Sequence, residues 1–161
     1  MPAQAATPLS LAEARLQEPA PAIRRGALRL LHTLGFAAVA ELPLGSGRRA
    51  DLVALGSGTE IWIVEVKSSL ADFRADRKWP EYRLHCDRLL FAVAPEFPAG
   101  SLPADTGLVI ADAYGGALIR KGELHPLPAA RRKTLIVRIA RAAAVRLAAL
   151  NDPGLVERKL F

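Results

Sequence analysis

Between Ala22 and Leu34 apolar residues recur at helical spacing, at Ile23, Ala27, Leu30, Leu31 and Leu34, and Gly35 follows as a natural stop. The pattern predicts a first core helix over 22–34. Upstream, Ser10-Leu-Ala-Glu13 has the form of a capping box, so a short helix is expected from Ser10, ended by Pro19-Ala-Pro21. Strand-like runs then follow over Phe36 to Leu42, Arg49 to Leu55 and Glu60 to Ser68, separated by Gly45-Ser-Gly47 and Gly56-Ser-Gly58. Short glycine turns of this kind make an antiparallel meander. Ser69-Leu-Ala-Asp72 looks like a second cap, opening a polar helical stretch through Lys78 that Pro80 breaks and Glu81 to Arg88 resumes. Leu89 to Ala94 and Gly107 to Ala111 read as buried strands, and a hairpin is expected from Ala117 to Leu127.

The last long element spans Ala130 to Leu150. At about 100° per residue, Ile136, Ile139, Ala143, Leu147 and Leu150 fall on one stripe, with Arg131, Arg138, Arg141 and Arg146 on the other side. This order of elements indicates an α/β domain with a mixed sheet. The divisions expected are an extension over 1–21, one domain over 22–153 and a tail over 154–161.

Composition narrows the field. The chain has 161 residues, 51% of them apolar, with a net charge of +6, which suits one folded domain rather than a disordered tail. A lone cysteine, Cys86, excludes an internal disulfide and a cysteine zinc cage, and no secretory signal or membrane-spanning run is seen, so a cytoplasmic protein is expected. The positive charge clusters at Arg24, Arg25 and Arg29, and again from Arg120 to Arg146. Such patches suit a polyanion such as nucleic acid, or are simply a solvated face.

Three acidic-x-Lys triplets occur, Glu65-Val-Lys67, Asp76-Arg-Lys78 and Glu157-Arg-Lys159. Asp76 and Glu157 sit in polar stretches where charges are solvated. Glu65 and Lys67 instead share a strand face with Ile61 and Ile63, while Trp62, Val64 and Val66 take the other face. Desolvating a Glu and a Lys is costly unless they are paired or bind something. If the two glycine-linked strands pair antiparallel, Asp51 comes beside Glu65 and Lys67. Two carboxylates and a lysine form either a hard-oxygen site suited to Mg²⁺ or a structural salt-bridge cluster.

Asp51 followed by Glu65-Val-Lys67 on the next strand, after a helix and within a three-strand meander, resembles the signature of the PD-(D/E)XK, restriction-endonuclease-like nucleases, with Ala50 where the proline would stand. Longer strings, Gly47-Arg-Arg-Ala-Asp51, Glu60-Ile-Trp-Ile-Val-Glu-Val-Lys-Ser-Ser69, Phe73-Arg-Ala-Asp-Arg-Lys-Trp-Pro-Glu-Tyr82 and Phe91-Ala-Val-Ala-Pro95, resemble the MmcB family of bacterial DNA repair proteins. The resemblance implies a nuclease-like core with a basic C-terminal helix and a DNA-repair role.

It also implies the site. Asp51, Glu65 and the carbonyl of Val66 would hold Mg²⁺ or Mn²⁺, and Lys67 would orient or deprotonate a water. Lys78 and Tyr82 stand where some relatives carry Gln-x-x-x-Tyr. The acidic residue that many relatives place on the first helix is absent, and Glu41 is its best substitute or else a strand-end hydrogen-bond partner. Arg48, Arg49, Arg131, Arg132, Lys133, Arg138 and Arg141 would grip the DNA backbone. DNA is the expected partner, with other repair proteins and a second copy of the chain as further ones. The alternative is a DNA-binding scaffold module that keeps the fold and does not cut.

Overall fold

Short apolar strands and two amphipathic helices satisfy each other by placing a sheet between the helices, and the computed structural model, which describes residues 19–155, has this layered form. Helix α1 covers Pro19–Thr33; strands β1 (Phe36–Pro43), β2 (Arg49–Gly56) and β3 (Ile61–Lys67) follow. After a short helix α2 (Leu70–Ala75) and a 3-10 helix (Trp79–His85) come β4 (Arg88–Val93), β5 (Gly107–Ala111), β6 (Gly116–Arg120) and the long helix α3 (Ala129–Asn151). The six strands form one sheet in chain order. Strands β1, β2 and β3 are antiparallel, β3, β4 and β5 are parallel, and β6 returns antiparallel to β5. The mixed α/β sheet expected from the sequence is present. The helix expected near Ser10 and residues 156–161 of the tail lie outside the described residues.

Alternation decides what each face buries. Trp62, Val64 and Val66 pack with Ile23, Ala27 and Leu31 of α1. Ile61, Ile63 and Val53 face the other way, toward Tyr82 and Cys86 and toward Leu135, Ile139 and Ala142 of α3. At Gly26 α1 approaches the β5–β6 turn so closely that a Cβ would lie 2.1 Å from the carbonyl oxygen of Asp112. Gly35 ends the helix region at φ +82°, a conformation open to glycine.

Four expectations need correction. Helix α1 begins at Pro19, not Ala22, because prolines are tolerated in a first turn whose N–H groups have no helical partner. The polar helix predicted through Lys78 stops at Ala75: Ser69 caps it by accepting from the Asp72 N–H at 3.1 Å, and Asp76 leaves helical geometry at ψ 90°. The hairpin predicted over 117–127 is one strand that pairs back on β5. Its second half is an irregular segment held by Asp87, whose carbonyl accepts from His125 N–H and whose carboxylate accepts from Leu127 N–H. In α3 the buried stripe is Leu135, Ile139 and Ala142, whereas Leu147 and Leu150 are 61% and 80% exposed. The helix rests on the 3-10 helix and the edge strand β1, and beyond Ala142 Arg146 reaches the sheet, donating to the carbonyls of Ala40 and Glu41.

Asp87 is the polar anchor of this assembly. Buried at 2% exposure, it accepts from the N–H groups of Ile61 and Leu127 and receives both terminal nitrogens of Arg132 at 2.6 and 2.7 Å. Removing it orphans the Ile61 and Leu127 N–H groups and leaves the half-buried Arg132 without its counter-ion. Asp87→Ala is expected to lower unfolding free energy by about 3–5 kcal/mol. Urea denaturation would measure this, and a loss below about 1 kcal/mol, the size of an exposed pair, would contradict the anchoring role.

Candidate functional site

Leu52 and Val64 are the last paired residues where β2 begins and β3 ends. Beyond them side chains replace the backbone ladder. The N–H of Asp51 donates to Glu65 Oε1 at 3.0 Å, and the N–H of Val66 donates to Asp51 Oδ2 at 2.8 Å. Each carboxylate thus caps the opposite strand with one oxygen. The two residues share an open cavity of about 350 Å³, lined also by Arg24, Arg49, Val66, Lys67, Asp72 and Tyr82. The structure therefore brings Asp51, Glu65 and Lys67 to one place, as the antiparallel pairing predicted.

Burial sets the electrostatics. Glu65, 4% exposed, is pushed up to about 8 by burial and by the charge of Asp51 beside it. Asp51 is also raised by burial, against the Val66 N–H bond and the Lys67 charge, which act to lower it. Lys67 is 5% exposed, and its ammonium bonds neither of these carboxylates: it donates to Asp76 Oδ2 at 2.6 Å. Burial would raise Asp76, but the Lys67 bond and the N–H of Lys78 outweigh it and hold its carboxyl below the usual carboxylate range.

Asp76 is the site residue that sequence reasoning missed, having been set aside as solvated. The available signal was its spacing. Asp72 and Asp76 lie one helical turn apart behind the Ser69 cap, and the chain leaving this short helix at Asp76 meets Lys67 at the strand end. Arg24 was likewise read only as part of a basic patch. From α1 it reaches the cavity and pairs with Glu41 at 3.1 Å.

Glu41 lies opposite Asp51, between the pairs Ala40–Leu52 and Leu42–Ala50. Its φ of +51° is strained for a side chain-bearing residue and breaks the alternation that would have aligned it with Ala37 and Val39. Arg24 on its carboxylate and Arg146 on its carbonyl hold it there.

The remaining predicted residues divide. Tyr82 lines the cavity but commits its hydroxyl to the Arg49 carbonyl at 2.9 Å, and burial raises its phenol. Lys78 is exposed and does not line the cavity. Arg49 is exposed at the cavity edge, whereas Arg48 makes a two-pronged pair with Glu81. On α3, Arg131 donates to the Leu84 carbonyl, Arg138 to the Pro43 carbonyl, and Arg132 is held by Asp87. Lys133 and Arg141 stay exposed. The basic helix face expected from the sequence is therefore in part internal bracing, and Arg132 is part of the structural core.

The donor set suits a hard divalent cation. Among the described residues no cluster of three or more His, Cys, Asp or Glu is gathered for a metal. Mg²⁺, however, needs only one or two carboxylates and keeps several waters. Asp51 and Glu65 each have one oxygen outside the backbone brace. The N–H and C=O of one strand residue leave on the same edge, so the carbonyl of Val66, whose N–H goes to Asp51, is directed to that side as well. Mutual repulsion between two buried carboxylates is what a bound cation relieves.

The sequence profile of one family, described as DNA repair protein MmcB-like, matches residues 7–154. A solved structure described as the SPO1766 protein of unknown function from Silicibacter pomeroyi aligns with a TM-score of 0.81 and 46% identity, over 89% of this chain and 97% of that one. No curated protein matches. Among the described residues no helix is long and apolar enough to cross a membrane.

The raised Glu65 value fixes the sign of a pH effect. From the ordinary 4.5 to about 8 the folded protein keeps a proton that the unfolded chain has released, so this group's contribution to stability falls as pH rises through that interval. His85 acts oppositely, because burial and the nearby Arg131 and Arg138 disfavour its charged form. The readout is therefore a difference. Denaturant midpoints of the metal-free wild type should decline relative to those of Glu65→Gln between pH 5 and pH 8, and parallel curves would contradict the buried-proton assignment.

Proposed function

The chain belongs to the MmcB-like family of DNA repair proteins, and on that footing we propose that it is a Mg²⁺- or Mn²⁺-dependent DNA phosphodiesterase of the PD-(D/E)XK type, acting on damaged or structured DNA. Family membership points to a role in DNA repair. The observation that carries the catalytic reading is the pair of carboxylates, Glu65 buried and Asp51 half-buried, bonded to backbone N–H groups and to no cationic side chain. A purely structural cluster would place Lys67 between them. Here the lysine is bonded to Asp76 instead, and Asp51 and Glu65 are left facing a cavity, with Glu65 keeping a proton that a cation would replace. The helix, antiparallel meander and parallel fourth strand around that pair support the nuclease-like fold.

Asp51, Glu65 and the Val66 carbonyl would hold the metal. When bound, it supplies polarisation of the scissile phosphate and a bound water of lowered pKa. Lys67, almost buried beside the carboxylates, orients that water and offsets the charge that develops on the phosphate. Tyr82 fixes the backbone of Arg49 and so sets the guanidinium at the cavity edge, where it meets a neighbouring phosphate. Arg24, with Lys78, Lys133 and Arg141 on the exposed surface, completes a sequence-independent grip on the backbone. Such contacts release counterions and weaken as salt rises.

One observation favours the scaffold alternative. Glu41, the substitute for the missing helix carboxylate, is held by Arg24 and is thereby withheld from a metal. The deciding experiment offers labelled single-stranded, duplex, flap and mismatched DNA to the protein with Mg²⁺ or Mn²⁺. Cleavage is expected with metal, and to fall by about 10²–10³ in Lys67→Ala, the scale of losing one preorganised charge-stabilising group. Asp51→Asn should abolish it while leaving salt-sensitive DNA binding in place. Binding without cleavage by the wild type under every condition would overturn the nuclease in favour of the scaffold.

A further inference from the structure

Lys67 and Glu65 alternate on one face of β3, so their Cβ atoms are about 7 Å apart and the lysine stem can reach the glutamate. An ammonium only 5% exposed needs a counter-ion. Glu65, Asp51 and Asp76 all act electrostatically on this corner of the sheet, yet the ammonium is bonded to Asp76 alone, at 2.6 Å. Asp76 is prepared for this task. Its second oxygen accepts the Lys78 N–H at 3.0 Å, and its own N–H returns to the Asp72 carbonyl at 3.2 Å. Helix α2 is pinned to the end of β3 independently of the ion pair, since Ser69 caps the Asp72 N–H and the Asp72 carboxylate accepts both the N–H and the hydroxyl of Ser68. The Lys67–Asp76 pair is therefore not needed to tie the helix down.

We infer that Asp76 is a positioning residue: it holds the Lys67 ammonium away from Asp51 and Glu65 and so keeps those carboxylates open to a divalent cation. The role of the opening rests on the metal-dependent reading above. Without Asp76, the buried ammonium is left to the carboxylates its charge already acts on, Asp51 and Glu65, which are the proposed metal ligands. Lysine and metal would then compete for the same oxygens.

The test titrates the full chain with Mn²⁺ alone and follows binding by calorimetry. Asp76→Asn should weaken Mn²⁺ binding by at least about tenfold, because a positive charge moves closer to the cation site. Asp76→Glu should stay within about threefold of wild type, and the loss on Asp76→Asn should be clearly smaller in a Lys67→Ala background, where only the charge of Asp76 itself is removed. Unchanged binding in Asp76→Asn, or an equal loss in both backgrounds, would overturn the proposal. Failure of the wild type itself to bind Mn²⁺ would instead defeat the metal-dependent reading. The placement is then decided by the ¹⁵N signal of the Lys67 ammonium in metal-free protein, which must shift in Asp76→Asn and shift again when Glu65→Gln is added. A signal that ignores both changes would overturn it.

Discussion

At the point where β2 and β3 part, two carboxylates take over hydrogen bonds that a backbone ladder would otherwise supply. Everything distinctive about this corner follows from that exchange. Because Asp51 and Glu65 each cap the opposite strand, they are held close together and half dry, and like charges so placed repel unless a proton or a cation lies between them. The rest of the fold keeps the geometry rigid. Helix α1 covers one face, α3 and the 3-10 helix cover the other, and Asp87 locks the far end of β3 to the segment before α3 through Ile61, Leu127 and Arg132.

The site also explains why Lys67 and Asp76 belong together. A lysine bonded to the two carboxylates would offset part of their charge and close them to a cation. Drawing the ammonium aside to a third carboxylate leaves Asp51 and Glu65 without a bonded cationic partner at the cavity. On the neighbouring strand, Glu41 has a positive φ and is held by Arg24 of α1 and Arg146 of α3, so the corner is constrained from both helices.

Much of this was legible in the sequence wherever one period dominates. Alternation placed Glu65 with Ile61 and Ile63, the glycine turns implied the antiparallel pairing, and together these brought Asp51 to Glu65. What the pattern did not contain was longer-range competition for partners. Asp76 looked solvated because its neighbours are polar, yet a helix of only six residues carries it back over the strand. The arginines of α3 looked like a DNA-facing surface because helical spacing separates them from the apolar stripe. Edge carbonyls of β1 and a buried Asp87 claim several of them, since unpaired backbone acceptors and a buried carboxylate need donors wherever they can be found. Leu147 and Leu150 were misplaced for a related reason: periodicity marks an apolar face without saying where the sheet beneath it ends.

The central claim is that the Asp51–Glu65 pair is a cation site and not an internal salt bridge. Crystals of the protein grown or soaked with Mn²⁺, with data collected where manganese scatters anomalously, test it most directly. The account predicts an anomalous peak within bonding distance of both carboxylates and the Val66 carbonyl, with the Lys67 ammonium still on Asp76. The absence of a peak there at saturating Mn²⁺, with Lys67 lying between Asp51 and Glu65, would contradict it.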